Sequence, residues 1–191
     1  MRRKRNILIN ETIKLKARLN LHGGQQEVRV NYKDTYAPIV NWFSYRFLLI
    51  YVLINKWHTR QIDFFLVYPQ SKIEHLLYMK FRHEITSKLG SKNSHVLKLR
   101  QNLFDQKQTG LVWFRFIFTK LSKIGFKQSS VDEYIFYRAS CVFFFYVDDG
   151  VFLCLNAKLV DKVIMDSKSE NLNIENQGDI TNYLGINFNY E

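Results

Sequence analysis

The stretch Cys141-Val-Phe-Phe-Phe-Tyr-Val-Asp-Asp-Gly-Val-Phe-Leu-Cys-Leu155 places a carboxylate pair and a glycine between two apolar runs. Apolar runs of this length, rich in aromatic and β-branched residues, predict buried β-strands at 141–146 and 151–155. An Asp-Gly step between two such strands is typical of a tight hairpin turn. The stretch therefore predicts a buried β-hairpin with Asp148 and Asp149 at its tip.

Two adjacent carboxylates in apolar surroundings repel each other and lose hydration, unless a cation or hydrogen-bond donors neutralise them. A divalent metal ion is the simplest neutraliser. Because adjacent strand residues point to opposite faces, one of Asp148 and Asp149 would be the main ligand and the other a secondary one. A third carboxylate would have to come from elsewhere in the chain.

Asp63 is the best candidate for that third carboxylate. It is the single charge in the β-prone run 61–67, which ends at Tyr68-Pro69 and is therefore predicted to be a buried strand closed by a turn. Two Mg²⁺ ions held by Asp63, Asp148 and Asp149 would activate a 3′-hydroxyl and stabilise a leaving pyrophosphate. That is the chemistry of nucleotidyl transfer in polymerases.

Structural interpretations of the same residues stay open at this point. An Asp-Asp-Gly triplet is more often an ordinary hairpin turn than a metal site. Asp63 could equally cap a turn or pair with Arg60. The metal hypothesis rests on the conjunction of the acidic hairpin, the upstream strand aspartate and a basic surface.

Composition narrows the class of protein. A chain of 191 residues, 47% of them hydrophobic, suits one domain or two interleaved subdomains with a buried core. The net charge of +11 favours nucleic acid or an anionic membrane as a partner. Cys141 and Cys154 are too few and too far apart for a disulfide framework or a zinc cage, which favours a reducing compartment.

Targeting signals are not apparent in the sequence. The basic start Arg2-Arg-Lys-Arg5 is followed by a mixed stretch without the apolar core of a secretory signal. The basic arm is either a solvated tail or a nucleic-acid-contacting arm. The most apolar stretch, residues 42–53, is shorter than the roughly 20 residues needed to cross a bilayer, so we expect a buried helix there.

The rest of the chain alternates between strand and helix patterns. Around Gly23-Gly24 the pattern predicts two strands joined by a turn. Gly125 follows an apolar helical face and marks the end of a helix. The predicted helices are 39–56, 114–124 and 157–170, and further predicted strands are 96–99, 134–137 and 183–188.

At these residues the sequence resembles the copia-type reverse transcriptase domain, in order, from about residue 14 to residue 188. The blocks that carry the resemblance are Lys16-Ala-Arg-Leu-Asn-Leu-His-Gly-Gly, Tyr36-Ala-Pro-Ile-Val, Ser44-Tyr-Arg-Phe-Leu-Leu, Gln61-Ile-Asp-Phe-Phe-Leu-Val-Tyr-Pro-Gln, Leu77-Tyr-Met, the block from Lys98 to Trp113, Gly125-Phe, Ser130-Val-Asp, Phe145-Tyr-Val-Asp-Asp-Gly, Gly178-Asp-Ile and Tyr183-Leu-Gly. Chance does not explain so many blocks in one order.

The resemblance implies a role for each matching residue. Lys16 and Arg18 would reach the triphosphate of the incoming nucleotide. Tyr68 would stack beneath the sugar and exclude a 2′-hydroxyl, and Gln108 would lie near the same sugar. Tyr183, Leu184 and Gly185 resemble the strand that grips the primer.

The resemblance also implies a fold, cofactors and partners. The fold would be α+β: a polymerase right-hand palm, an antiparallel sheet with helices packed on one face, plus fingers. Residues 1–13 would be a basic arm, 14–40 and 71–112 fingers, and 41–70 and 113–191 palm, with the thumb largely absent. Asp63, Asp148 and Asp149 would hold two Mg²⁺ ions, with Mn²⁺ as the alternative. Partners would be an RNA or DNA template with its primer and dNTPs, with no membrane, in the cytoplasm or the nucleus.

Several positions depart from the family pattern. Val67 stands where the family usually has alanine, and its two extra methyl groups would crowd the nucleotide sugar. Asp105 replaces a glycine, which adds negative charge near the triphosphate at a backbone position expected to need a positive φ. Leu111 replaces a common arginine. These changes favour an alternative: a decayed copy, either an inactive nucleic-acid-binding remnant or a pseudogene product.

Overall fold

The computed structural model describes residues 2–5, 12–16, 18–80 and 96–188, and for the first two ranges only the course of the backbone. Three α-helices are present in these ranges: α1 Trp42–Asn55, α2 Thr109–Lys123 and α3 Ala157–Ser169. The strands are β1 Arg2–Arg5, β2 Thr12–Lys16, β3 His58–Phe64, β4 Tyr78–Lys80, β5 Val96–Lys98, β6 Lys127–Gln128, β7 Ile135–Arg138, β8 Cys141–Tyr146, β9 Asp149–Cys154, β10 Ile174–Gly178, β11 Asn182–Tyr183 and β12 Ile186–Asn187.

A six-stranded sheet in the order β10-β3-β9-β8-β7-β6 forms the centre of the molecule, and its neighbouring strands are all antiparallel. The predicted acidic hairpin is confirmed as β8–β9, in which Tyr146 pairs with Asp149. The strand predicted around Asp63 is confirmed as β3, which lies next to β9. The antiparallel α+β architecture expected from the sequence is therefore present.

The aromatic residues of β8 fill both faces of this sheet. Phe143 and Phe145 contact Phe64 on the face that α2 covers. On this face the rings of Phe64 and Trp113 of α2 have centroids 5.2 Å apart. On the opposite side, Phe144 stacks with Tyr45 of α1 at 6.3 Å. The expectation that the helices pack on one face was therefore wrong for α1, because α1 has its own apolar contact surface on the other side.

Two helix boundaries have identifiable chemical causes. The Asn41 side chain accepts a hydrogen bond from the Phe43 backbone N–H and so caps α1, while the Asn41 N–H donates to the Asp132 carboxylate at 2.8 Å. At the other helix, α2 is followed by Gly125 with a φ of 86°, as the sequence predicted.

Within the described residues, no helix combines the length and apolar character needed to cross a membrane.

Two expectations from the sequence were wrong. Gly23-Gly24 does not join two strands, since residues Gly23–Gln25 form a 3₁₀ turn and β2 instead pairs with β1. The predicted last strand is two short strands, β11 and β12, joined through Leu184-Gly185, both of which have positive φ. The stretch 80–94, which is polar and turn-rich in sequence, lies outside the described residues except for Lys80.

The cysteines also correct an expectation. Cys141 and Cys154 are directly paired across β8 and β9, and a disulfide joins them. The expectation that they are too far apart fails because the hairpin turns back on itself and brings together two positions 13 apart in the sequence. The pairing follows from the register of the hairpin, which places the first residue of β8 opposite the last residue of β9.

Candidate functional site

The three aspartates lie together at one end of the central sheet. Asp63 of β3 is directly opposite Asp149 of β9 in the antiparallel register, so their side chains leave the same face of the sheet. Asp148 sits in the β8–β9 turn, and its backbone carbonyl oxygen accepts a 2.7 Å hydrogen bond from the Phe64 N–H. The backbone therefore places three carboxylate-bearing residues next to one another, as the sequence predicted.

The surroundings of these carboxylates oppose ionisation of one of them. Burial raises the pKa of Asp149 above its usual range, and the nearby Asp148 and Asp63 carboxylates raise it further. A cation placed among the three would reverse both effects. In its donor set, the cluster fits a divalent cation with a preference for oxygen ligands.

The side chains do not form a finished ligand cage. Within residues 18–80 and 96–188, no three acidic, imidazole or thiol groups are arranged closely enough to hold a metal ion. Asp63, Asp148 and Asp149 are neighbours in the backbone, and their side chains would have to turn toward a common point to share a cation.

The tip of the hairpin is held from both faces of the sheet. On one face, the Trp113 indole N–H donates to the Val147 carbonyl oxygen at 2.9 Å. On the other, the Tyr183 hydroxyl donates to the Asp149 carbonyl oxygen at 3.2 Å. Sequence reasoning missed the support from Trp113, because nothing in an amphipathic helix pattern says which turn its indole will reach.

Gly150 completes this support by allowing close packing behind Asp149. A side-chain carbon at Gly150 would lie 2.9 Å from the Phe143 ring and 3.0 Å from Ile62 Cγ1. The glycine of the Asp-Asp-Gly triplet is therefore required by the packing of the central sheet beneath the acids.

A second cluster lies beside the aspartates. The Tyr68 and Phe104 rings meet edge to face with centroids 5.1 Å apart, and the Arg18 guanidinium lies over Phe104 at 4.9 Å. Burial raises the pKa of Tyr68, Asp148 and Asp105 raise it further, and Arg18 lowers it. The structure thus places Tyr68 near Asp148 and Arg18 near Tyr68, whereas the Lys16 side chain lies outside the described residues.

Gln108 lies directly before α2, where it contacts Gln26 of the loop 20–26. It has no described contact with the aspartates. Its buried side-chain oxygen accepts a 3.1 Å hydrogen bond from Gln26, and Gln26 in turn accepts one from the Lys107 N–H at 2.7 Å. The Nε2 atom of Gln108 and both side-chain amide atoms of the buried Gln106 have no hydrogen-bond partner among the described residues. No sequence signal pointed to Gln106.

Asp105 has the left-handed backbone that the family's glycine at this position implied, with a φ of 66°. Its carboxylate accepts a 2.6 Å hydrogen bond from the Asn20 side chain. The Asp105 backbone also requires a glycine at position 23, because a side-chain carbon at Gly23 would lie 2.0 Å from the Asp105 carbonyl oxygen. Loops 20–26 and 104–108 are therefore in close backbone contact.

The predicted primer-grip residues form the β11–β12 hairpin. Tyr183 packs edge to face against Phe144 and Tyr45, with ring centroids 5.6 and 6.2 Å apart. Leu184 and Gly185 occupy the turn of this hairpin. Tyr183 also contacts the acidic hairpin through the hydrogen bond from its hydroxyl to the Asp149 carbonyl oxygen.

Fold and site together define an α+β domain with an acidic hairpin on an antiparallel sheet. The family profile described as "Reverse transcriptase (RNA-dependent DNA polymerase)" matches residues 1–191, and the chain belongs to this family. The resemblance to copia-type reverse transcriptases is thereby confirmed.

Two curated relatives come from Arabidopsis thaliana. The Retrovirus-related Pol polyproteins from transposons RE2 and RE1 are each 26% identical to the chain over 175 residues. Each alignment covers 90% of the chain but 12% of the relative, so the chain spans about an eighth of the length of these polyproteins. No solved structure matches the chain significantly.

Proposed function

We propose that the chain is the RNA-directed DNA polymerase core of a copia-type retrotransposon and extends a primer 3′-hydroxyl by nucleotidyl transfer. The observation that carries this proposal is the register of β3 and β9, which sets Asp63 opposite Asp149 with Asp148 bonded through its carbonyl to the Phe64 N–H. In this proposal the palm comprises residues 41–70 and 113–191 and contains the six-stranded sheet. Residues 14–40 and 71–112 are the fingers.

Metal binding at this site would use Asp63, Asp148 and Asp149. When bound, two Mg²⁺ ions, or Mn²⁺ in their place, would supply the charge that activates the 3′-hydroxyl and stabilises the leaving pyrophosphate. The raised pKa of Asp149 supports this role, because an acidic cluster under mutual repulsion gains from a cation.

The neighbouring residues would bind and orient the incoming dNTP. Arg18 and Lys16 would hold the triphosphate, and the position of the Arg18 guanidinium over Phe104 beside Tyr68 supports this for Arg18. Tyr68 would lie beneath the sugar and exclude a 2′-hydroxyl. Gln108 would lie near the same sugar, and its buried Nε2 atom has no hydrogen-bond partner among the described residues.

The template and primer would lie across the sheet face that carries Asp63 and Asp149. Tyr183, Leu184 and Gly185 would hold the primer, and the hydrogen bond from Tyr183 to the Asp149 carbonyl supports a coupling of primer position to the acidic hairpin. The net charge of +11 favours binding to the phosphate backbone. We propose the cytoplasm as the site of action, with the nucleus as the alternative.

An inactive nucleic-acid-binding remnant is the second candidate, and specific residues favour it. Val67 is buried next to Tyr68, so its two methyl groups beyond alanine have little room to move. Asp105 places a negative charge close enough to Tyr68 to raise its pKa. Both features would weaken nucleotide binding while leaving the basic surface in place. A pseudogene product would share these features and have no function.

Primer extension at low salt with Mg²⁺ on a primed RNA template separates these candidates. The wild-type chain is compared with the Asp148→Asn, Asp149→Asn double variant and with Asp161→Asn, an exposed carboxylate of α3, as the matched control. Incorporation by wild type and control that disappears in the double variant supports the polymerase. No incorporation by any folded chain, with nucleic-acid binding retained, supports the remnant.

A further inference from the structure

The outer face of α1 is apolar, and none of the described residues covers it. Tyr45, Leu49 and Val52 are the buried residues of this helix. Four residues of the opposite face are strongly exposed: Phe43 at 80%, Phe47 at 67%, Ile50 at 58% and Ile54 at 75%. We refer to these four residues as the α1 stripe.

The spacing of the α1 stripe is that of a coiled-coil seam. Its members follow one another at intervals of four, three and four residues, which is the alternation of a and d positions in a heptad repeat. None of them is charged. The one charged residue of α1, Arg46, lies over the Trp42 ring at 4.3 Å, beside the stripe.

The exposed area is large enough for a stable protein interface. Trp42, Tyr51 and Leu53 flank the stripe and are themselves 41–48% exposed. With about 150–250 Å² for each aromatic side chain, the stripe and its flanks expose on the order of 800 Å² of apolar surface. That area exceeds the largest apolar patch of a typical monomer and equals the share of one partner in a standard-sized interface.

We propose that α1 pairs antiparallel with α1 of a second copy of this chain across a two-fold axis. The stripe is symmetric about the midpoint between residues 48 and 49, so both of its ends can meet their counterparts at once. Phe43 then lies opposite Ile54 of the partner subunit, and Phe47 lies opposite Ile50 of the partner subunit. Every layer pairs an aromatic with an aliphatic side chain, which gives the two ends equal volume.

The chemistry of α1 fits a second copy better than a membrane or a nucleic acid. An interfacial membrane helix has a polar face rich in lysine and arginine, whereas the face of α1 opposite the stripe is buried in the core. Nucleic-acid binding needs cations, and the stripe has none. Two chains with a net charge of +11 repel each other, so salt strengthens this dimer while it weakens nucleic-acid binding.

Sedimentation equilibrium tests the proposal across protein concentration and at two salt concentrations. A closed dimer is expected with a Kd in or below the micromolar range, as found for interfaces of about 1,600 Å². Phe47→Lys and Ile50→Glu each weaken dimerisation at least about tenfold, since each buries two charges in the seam. Met165→Glu, an exposed apolar residue of α3, is the matched control and leaves Kd unchanged. Circular dichroism establishes that all variants are folded.

A mixture of Phe47→Lys and Ile50→Glu chains tests the orientation. In the antiparallel pairing, the introduced lysine of one chain lies opposite the introduced glutamate of the other chain. The second central layer keeps the original phenylalanine and isoleucine. The two variants should therefore form a heterodimer that is tighter than the homodimer of either variant. A parallel pairing gives no such recovery and would overturn the proposed register.

Two other outcomes overturn the dimer itself. One is a monomer up to several hundred micromolar protein at both salt concentrations. The other is association that continues beyond two chains. Flotation with vesicles of phosphatidylcholine alone or mixed with phosphatidylserine is measured in parallel. Binding that requires the α1 stripe in a chain that stays monomeric would assign the face to a membrane surface instead.

Discussion

The hydroxyl group of Tyr183 donates a 3.2 Å hydrogen bond to the backbone carbonyl oxygen of Asp149. This bond ties the β11–β12 hairpin to the acidic tip of β8–β9. Burial raises the pKa of Tyr183, and the charge of Asp149 raises it further, so the phenol stays protonated at neutral pH. Tyr183 therefore remains a donor under all conditions in which the protein is folded near neutrality.

Replacing this phenol with phenylalanine is expected to destabilise the fold. Tyr183→Phe removes the hydrogen bond and leaves the Asp149 carbonyl oxygen without that donor, at a cost of about 1 kcal/mol. Tyr45→Phe is the matched control, because the buried Tyr45 hydroxyl has no hydrogen-bond partner among the described residues. Its removal should be neutral or stabilising. Urea unfolding of both variants checks the difference, and equal losses would contradict it.

Removing the charge of Asp149 is expected to stabilise the metal-free protein at neutral pH. Its pKa is raised in the folded state, so ionisation costs more there than in the unfolded chain. Asp149→Asn abolishes that cost at pH 7. As pH falls through the raised pKa and below the usual value of 3.8, wild-type Asp149 becomes protonated in both states and the advantage of the variant disappears.

Unfolding free energies in EDTA, measured at pH 7 and at intervals down to about pH 3, test this expectation. Asp161→Asn controls for the change in net charge, since Asp161 is exposed on α3 away from the acidic cluster. An Asp149→Asn advantage that stays constant with pH would point to a cause other than ionisation.

Mg²⁺ is expected to stabilise the wild-type chain through the same cluster. A ligand that binds only the folded state raises Tm, by an amount that grows with its concentration above Kd. Asp149→Asn and Asp148→Asn should each lose most of this increase, because each removes a charged oxygen ligand. Differential scanning calorimetry with Mg²⁺, compared with Ca²⁺ and with added NaCl at equal ionic strength, separates site binding from screening. An equal increase in all variants would exclude these aspartates as ligands.

The sequence predicted the part of the fold that local patterns control. The acidic hairpin followed from two apolar runs around Asp148 and Asp149, and the end of α2 followed from Gly125. In each case, turn chemistry and periodicity act over a few residues, so the pattern is visible in the sequence.

Features that depend on pairing between distant segments were not predictable in the same way. The cross-strand position of Cys141 and Cys154 depends on hairpin register, which the spacing of 13 residues does not reveal. The contact between Trp113 and Val147 depends on how α2 lies against the sheet. The packing of α1 on the opposite face also escaped prediction, because α1 is apolar on almost every side and gives no directional signal.

The glycine behind the acids is expected to tolerate no side chain. Gly150→Ala sets a methyl group 2.9 Å from the Phe143 ring and 3.0 Å from Ile62, in a tightly packed part of the sheet. Overpacking of this kind costs about 1–3 kcal/mol. Combining it with Phe143→Leu, which shortens the obstructing side chain, should lose less than the sum of the two single changes. A double-mutant cycle of urea unfolding measures this coupling, and strict additivity would contradict direct contact.

The charge of Asp105 is expected to weaken nucleotide binding without being needed for the fold. Asn adopts the left-handed conformation readily, and its side-chain oxygen can still accept from Asn20, so Asp105→Asn should change stability by less than about 0.5 kcal/mol. Asp105→Ala should lose about 1 kcal/mol or more, because an alanine is strained at a φ of 66°.

Since Asp105 is close enough to influence Tyr68, removal of its charge should tighten binding of a triphosphate there severalfold. Equilibrium binding of a fluorescent dNTP to both folded variants checks this, with Asp161→Asn as the control for net charge. Unchanged affinity in Asp105→Asn would mean that the Asp105 carboxylate does not face the nucleotide, and the case for Asp105 as a cause of lost activity would fail.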